Sequence, residues 1–221
     1  MVGMTATPDP ARFFTARARS YSRFIRFVRY QQGLRACFMT SSLLRSDLRV
    51  LDAGCGTGAA LLALREAMVA RGFAPGPLHG FDITPAMIDR FRASLQARGV
   101  AGVELVQADV LALDALPMAW KNFELIVSAS MLEYVPRDQF VAALRGLHAL
   151  LAEEGSLLLF ITRDNWLTRP LIVRWWQSNL YTAQELKKAF ATAGFSVIAL
   201  RSFPPLYRYL ASWGQVVEAR R

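Results

Sequence analysis

Ten residues constrain this chain most: Arg49-Val50-Leu51-Asp52-Ala53-Gly54-Cys55-Gly56-Thr57-Gly58. A short apolar run ends in an acid, and three glycines follow at alternate positions. After them Ala59-Ala60-Leu61-Leu62-Ala63-Leu64-Arg65-Glu66 is rich in strong helix formers. A strand that turns through glycine into a helix N-terminus makes a site for a nucleotide or nucleoside. Glycine permits positive φ there and lets a ligand approach the backbone closely. Asp52, at the carboxyl end of the strand, can accept hydrogen bonds from a ligand's amino group.

Two cofactors compete for such a turn. Gly54, Gly56 and Ala59 satisfy the dinucleotide pattern G-x-G-x-x-G/A. A carboxylate in front of the glycines, however, repels a pyrophosphate. The fuller pattern, Asp-x-Gly-x-Gly-x-Gly after Val-Leu, resembles the first motif of the class I S-adenosylmethionine-dependent methyltransferases. The resemblance implies S-adenosyl-L-methionine as cofactor, its amino-acid end held at Asp52, Gly54, Cys55, Gly56 and Gly58.

The segments that follow extend the resemblance over residues 47–221. Leu78 to Ile83 reads as a second strand ending in Asp82, 24 residues past Gly58, a distance at which a carboxylate can bind both ribose hydroxyls. Thr84-Pro85 places an N-cap and a proline at the start of a helix. In the family that helix carries a methionine near the cofactor, which Met87 matches, and Ile83 lies beside it. Val103 to Val110 reads as a third strand, with Asp109 implied for the adenine amino group and Val110 for the ring face. Phe123 to Ser130 is a near-continuous apolar run suited to a parallel strand buried on both faces. A helix from about Asp138 to Glu153 is expected to stop at Gly155, and Ser156 to Thr162 is a fifth strand. Thr182-Ala183-Gln184-Glu185 resembles a capping box and opens a helix ending at Gly194; a sixth strand and a loop at Pro204–Leu210 follow. Gly214 to Arg220 is expected as an antiparallel edge strand.

The expected fold is therefore α/β, a Rossmann-like, doubly wound, mostly parallel seven-stranded sheet with an antiparallel edge strand and an N-terminal helical lid. Residues 1–46 form the lid segment, and residues 47–221 the cofactor-binding domain, with an insert at 163–180.

Charge is unevenly spread. Residues 1–49 hold nine arginines and two acids, a balance of +7; residues 50–160 hold eight basic and twelve acidic residues, −4; residues 161–221 hold nine basic and three acidic residues, +6. Between Ala11 and about Phe38 an apolar stripe of Phe14, Ala18, Tyr21, Ile25 and Val28 lies beside Arg12, Arg19, Arg23 and Arg26. This is the composition of a helix that lies on an anionic membrane or packs as a lid. The insert, with Trp166, Trp175, Trp176, Arg169 and Arg174, and the loop 203–213 are also basic and aromatic, and all three segments are expected on the cofactor side of the sheet. No run reaches the ~18 apolar residues of a membrane span. The N-terminus has no basic-then-apolar signal pattern, and Cys37 and Cys55 have no metal spacing, so a cytoplasmic location without metal is expected, with the inner membrane face as a peripheral contact.

Methyl transfer needs a nucleophile held in line with the methyl group and water kept out. Glu133 and Tyr134, past the fourth strand, and Tyr21, if the lid closes, are the candidates to touch the acceptor. His79 falls at the wrong end of its strand and His148 on a helix. The Asn/Asp-Pro-Pro-Tyr/Phe signature of nucleic-acid amino-methyltransferases is replaced by Ser128-Ala129-Ser130-Met131, and neither cysteine follows a proline. A small, lipophilic or lipid-like acceptor fits the aromatic flanks better than nucleic acid. An RNA methyltransferase and a non-catalytic scaffold that binds a partner through the basic flanks remain the alternatives.

Overall fold

The structure, a computed structural model, describes residues 29–164 and 178–221. The arginine-bearing stripe before residue 29, with Tyr21, and the tryptophan-rich core of the insert lie outside the described residues.

Seven strands form one sheet in the order β3-β2-β1-β4-β5-β7-β6. They are β1 (Val50–Ala53), β2 (Leu78–Asp82), β3 (Val103–Gln107), β4 (Phe123–Ala129), β5 (Leu151–Thr162), β6 (Val197–Arg201) and β7 (Gly214–Arg220). The first five run parallel, and the order reverses between β1 and β4, which creates the crevice where open α/β sheets bind ligands. β7 is antiparallel to both β5 and β6. It lies at that end of the sheet, one place in from the edge, with β6 outside it.

Helices cover both faces. On one, α1 (Tyr30–Thr40), α2 (Ala59–Ala70) and α3 (Pro85–Ala97) bury Leu34, Phe38, Leu61, Leu64 and Phe91 against β1, β2 and β4. On the other, α4 (Phe140–Leu150) and α5 (Ala183–Ala193) bury Phe140, Leu144, Leu147, Leu186 and Phe190. The capping box of α5 forms as expected: the Thr182 hydroxyl accepts from Glu185 N, and the Glu185 carboxylate accepts from Thr182 N.

Gly155 does not stop a helix. α4 ends at Leu150 and β5 begins at once, because the fully buried Leu151 already pairs with Phe123. The pairing then slips, so that Leu125 faces Ser156. Gly155 sits in this irregularity, where a β-carbon would stand 2.6 Å from the Phe123 carbonyl oxygen. Thr84 precedes α3 without capping it through its side chain; its hydroxyl turns to Asp82. The expected loop after β6 is a 3-10 segment over Pro205–Ser212 that packs on α1, where Leu210 fills the space that a side chain at Gly33 would take. His79 is buried at the far side of the sheet from the crevice, edge-on to Trp120 and Phe123.

Candidate active site

The glycine turn is anchored to β2. Gly54 N and Cys55 N both donate to the Phe81 carbonyl oxygen, at 2.9 and 2.8 Å. Gly54, Gly56 and Gly58 have φ of 73°, 52° and 87°. Gly54 and Gly58 also meet close neighbours, since a β-carbon on them would lie 2.2 Å from Met131 Cγ and 2.0 Å from Phe91 Cε2. A β-carbon on Gly56 would meet nothing within 4 Å, and this face of the turn opens into a cavity.

Three acids surround the turn in different environments. Asp52 is buried behind it. Its Oδ2 accepts from Leu61 N at 3.2 Å, on the first turn of α2, while Oδ1 has no hydrogen-bond partner. Burial, with the charge of Asp82 adding to it, pushes the Asp52 carboxyl up to about 7, against the bond from Leu61. Asp82 ends β2 and faces the cavity. Its Oδ2 accepts from Gly56 N at 2.9 Å and its Oδ1 from Thr84 N at 2.8 Å. Burial raises its pKa and these bonds pull it back. Asp109, past the end of β3, is partly exposed, and its Oδ1 accepts from Leu111 N at 2.9 Å.

The cavity has a volume of about 510 Å³. It is lined by Gly54, Cys55, Gly56 and Thr57 of the turn and by Asp82, Ile83, Met87, Asp109 and Val110. α1 (Tyr30, Gln31, Leu34) and the segment after β4 (Ser130, Met131, Tyr134) line it as well. Of the residues expected from the sequence, Gly54, Cys55, Gly56, Asp82, Ile83, Met87, Asp109, Val110 and Tyr134 line this one cavity. Asp52 and Gly58 stand behind the turn. Tyr21 lies outside the described residues.

Glu133 points elsewhere. It is buried, and its carboxylate accepts from Thr162 N at 3.1 Å and Thr162 Oγ1 at 2.7 Å, at the end of β5. Burial pushes it up to about 7, against these two bonds. Asn179 ties down the same turn, donating from N to the Glu133 carbonyl and from Nδ2 to the Val135 carbonyl, both at 2.7 Å. Glu133 therefore fixes the turn that carries Tyr134 to the cavity wall.

Sequence reasoning missed Tyr30, Gln31, Thr57 and Ser130. Ser130 had a usable signal, since it directly follows a strand at the ligand-binding end of the sheet. Tyr30 had none: it falls within the stretch 11–38 expected to be helical, but the apolar stripe that marked that stretch ends at Val28. Among the described residues no cluster of His, Cys, Asp or Glu is placed to hold a metal ion.

Residues 50–155 match the model of a methyltransferase domain. Carboxy-S-adenosyl-L-methionine synthase of Dichelobacter nodosus is 31% identical over 112 residues, 50% of this chain and 43% of that protein. Aklanonic acid methyltransferase DauC of a Streptomyces species is 31% identical over 88 residues, 40% of this chain and 37% of that protein. The chain thus spans less than half the length of these two relatives. The crystal structure of magnesium protoporphyrin IX methyltransferase from Synechocystis PCC 6803, with bound SAH, shares the fold with a TM-score of 0.70 at 19% identity, over 96% of this chain and 97% of that one.

S-adenosyl-L-methionine fits the residues present. Gly56 leaves open space for it, Asp82 offers carboxylate oxygens, and Asp52 holds a buried oxygen without a partner behind the turn. Ile83, Met87 and Val110 make an apolar shelf. Residues 50–155 carry the matched methyltransferase domain, and the sheet order and the glycine turn with its acids make it a class I S-adenosylmethionine-dependent methyltransferase domain, with S-adenosyl-L-methionine as its cofactor.

Proposed function

We propose that this chain transfers the methyl group of S-adenosyl-L-methionine to a small, apolar acceptor. The observation that carries this reading is a single cavity joining the glycine turn and Asp82 to a largely apolar wall made by α1 and the end of β4. When bound, the cofactor supplies a methyl group on a positively charged sulfur. Gly54, Cys55, Gly56 and Gly58 shape the turn that receives its amino-acid end, and Asp52 stabilises that turn through α2. Asp82 accepts from the ribose hydroxyls, Asp109 from the adenine amino group, and Ile83, Met87 and Val110 pack on the ring. α1 covers the cavity and keeps water from the acceptor, Tyr134 borders the acceptor, and Glu133 holds the turn beneath it. Tyr21 is a further candidate to border the acceptor.

The relatives named carboxy-S-adenosyl-L-methionine synthase suggest a second reading, in which the product carries an extra carboxylate. The charged side chains on the described wall are the acids Asp82 and Asp109, which oppose a buried anion and favour methyl transfer to a neutral acceptor.

The 3-10 segment against α1 supports a peripheral membrane contact on the cytoplasmic side. Leu206 is 79% exposed and Tyr209 46%, with the exposed Arg208 between them, a pairing of apolar and cationic groups suited to an anionic bilayer surface. Among the described residues no helix is long and apolar enough to cross a membrane.

The test is calorimetry with S-adenosylhomocysteine and NAD, followed by transfer of labelled methyl to lipid extract, RNA and soluble metabolites. Label in the lipid or small-metabolite fraction is expected. Binding of NAD alone would sink the reading, label in RNA would move it to nucleic acid, and cofactor binding without any transfer would leave a scaffold. Flotation with anionic and neutral vesicles tests the membrane contact, which fails if neither kind binds.

A further inference from the structure

The cavity wall changes character at the carboxyl end of β4. Ser130 has φ of 55°, in the left-handed region that a residue with a β-carbon seldom adopts. The conformation is held from β5, since Ser130 N donates to the Phe160 carbonyl oxygen at 2.9 Å. Strained backbone of this kind persists where the surroundings over-determine it, and it concentrates at ligand sites. Here the Ser130 hydroxyl meets the Tyr30 hydroxyl on α1 at 3.0 Å, a hundred residues away in sequence. Both residues line the cavity, among the apolar Leu34, Met131 and Val135.

We infer that the Tyr30–Ser130 pair recognises a neutral hydroxyl group on an otherwise apolar acceptor. A hydroxyl can both donate and accept, and the Ser130 hydroxyl, with one donor and two acceptor sites, has capacity for a third hydroxyl beside its bond to Tyr30. An ionised acid is opposed by Asp82 and Asp109, the charged side chains among the described lining of the same cavity. The inference rests on the methyl-transfer reading only in taking the glycine turn as the cofactor side of the cavity.

The experiment compares 4-hexylphenol with hexylbenzene, which differ by one hydroxyl, as ligands of the full chain saturated with S-adenosylhomocysteine. Calorimetry on the native chain is expected to show about a tenfold preference for the phenol. Tyr30→Phe and Ser130→Gly should each bring the preference towards unity while S-adenosylhomocysteine affinity changes by less than about twofold. Ser130→Gly also relieves the left-handed strain, so unfolding does not account for its loss. Equal affinity for the two compounds in the native chain overturns the inference, as does a preference that survives in both variants. Variants that weaken S-adenosylhomocysteine and keep the preference make the pair a latch for α1, which equally overturns it. A chain that does not bind S-adenosylhomocysteine fails the methyl-transfer reading instead, and the two compounds are then compared without it, with the same outcomes deciding.

Discussion

Asp82→Asn separates what this carboxylate does for the fold from what it does for the ligand. In the native chain both oxygens accept backbone N–H groups, from Gly56 and Thr84. Asparagine keeps one acceptor and turns an NH2 group towards the other N–H, so one charge-assisted bond is lost, a matter of about 1.5–3 kcal/mol. The neutral side chain escapes the burial that raises the carboxyl pKa, which offsets part of that loss. The net cost to stability is expected at about 1–2 kcal/mol. Binding has no such offset. The ribose hydroxyls lose a charged acceptor, and affinity for S-adenosylhomocysteine should fall by about 10- to 150-fold. Titration calorimetry gives the affinity and urea unfolding the stability. Affinity within about threefold of the native value, in a folded variant, would refute the assignment of Asp82 to the ribose. Asp82→Ala leaves both N–H groups without a partner and should unfold more readily than the asparagine variant, while Asp109→Ala should cost less affinity than either.

Gly58→Ala combines a left-handed backbone with a β-carbon 2.0 Å from Phe91 and should destabilise the chain by about 2–4 kcal/mol, read as a lower urea midpoint. Gly56→Ala, with open space around the new methyl, should lose less stability and more cofactor affinity; equal losses at the two positions would contradict the division of labour within the turn. The carboxyls of Asp52 and Glu133 are both raised to about 7 from ordinary values near 4, so between about pH 4 and 7 the native state holds protons that the unfolded chain releases. The stability they contribute is present in acid and lost as pH rises through 7. Glu133→Gln should flatten that decline by at most one proton, and an unchanged slope of stability against pH would show that Glu133 ionises normally.

The glycine turn and the acids proposed for the cofactor were legible because their signals are local. The turn needs glycine at fixed spacing, Asp82 closes β2 and Asp109 falls just past β3, so Gly54 to Gly58, Asp82 and Asp109 could be read from short windows. The acceptor half was not, because it is assembled by contacts between distant segments. Nothing near Tyr30 announces a hydroxyl partner at Ser130. Glu133 looked like a site residue from its place after β4, but Thr162 at the end of β5 draws its carboxylate away from the cavity. The insertion of β7 between β5 and β6 was likewise hidden, since alternating apolar residues announce a strand and not its neighbours. Gly155 misled for a related reason: a glycine after an apolar helix is a common stop signal, and only the pairing of Leu151 with Phe123 decides against it.

The close approach of Gly54 to Met131 bears on how the two halves of the cavity communicate. The methionine lies against the cofactor turn at a distance only glycine permits, and it is the residue directly after Ser130. Met131 thus packs the glycine turn directly against the segment proposed to border the acceptor. Any coupling that this contact carries between the two ligands is reciprocal: whatever factor the first adds to the affinity of the second, the second returns to the first.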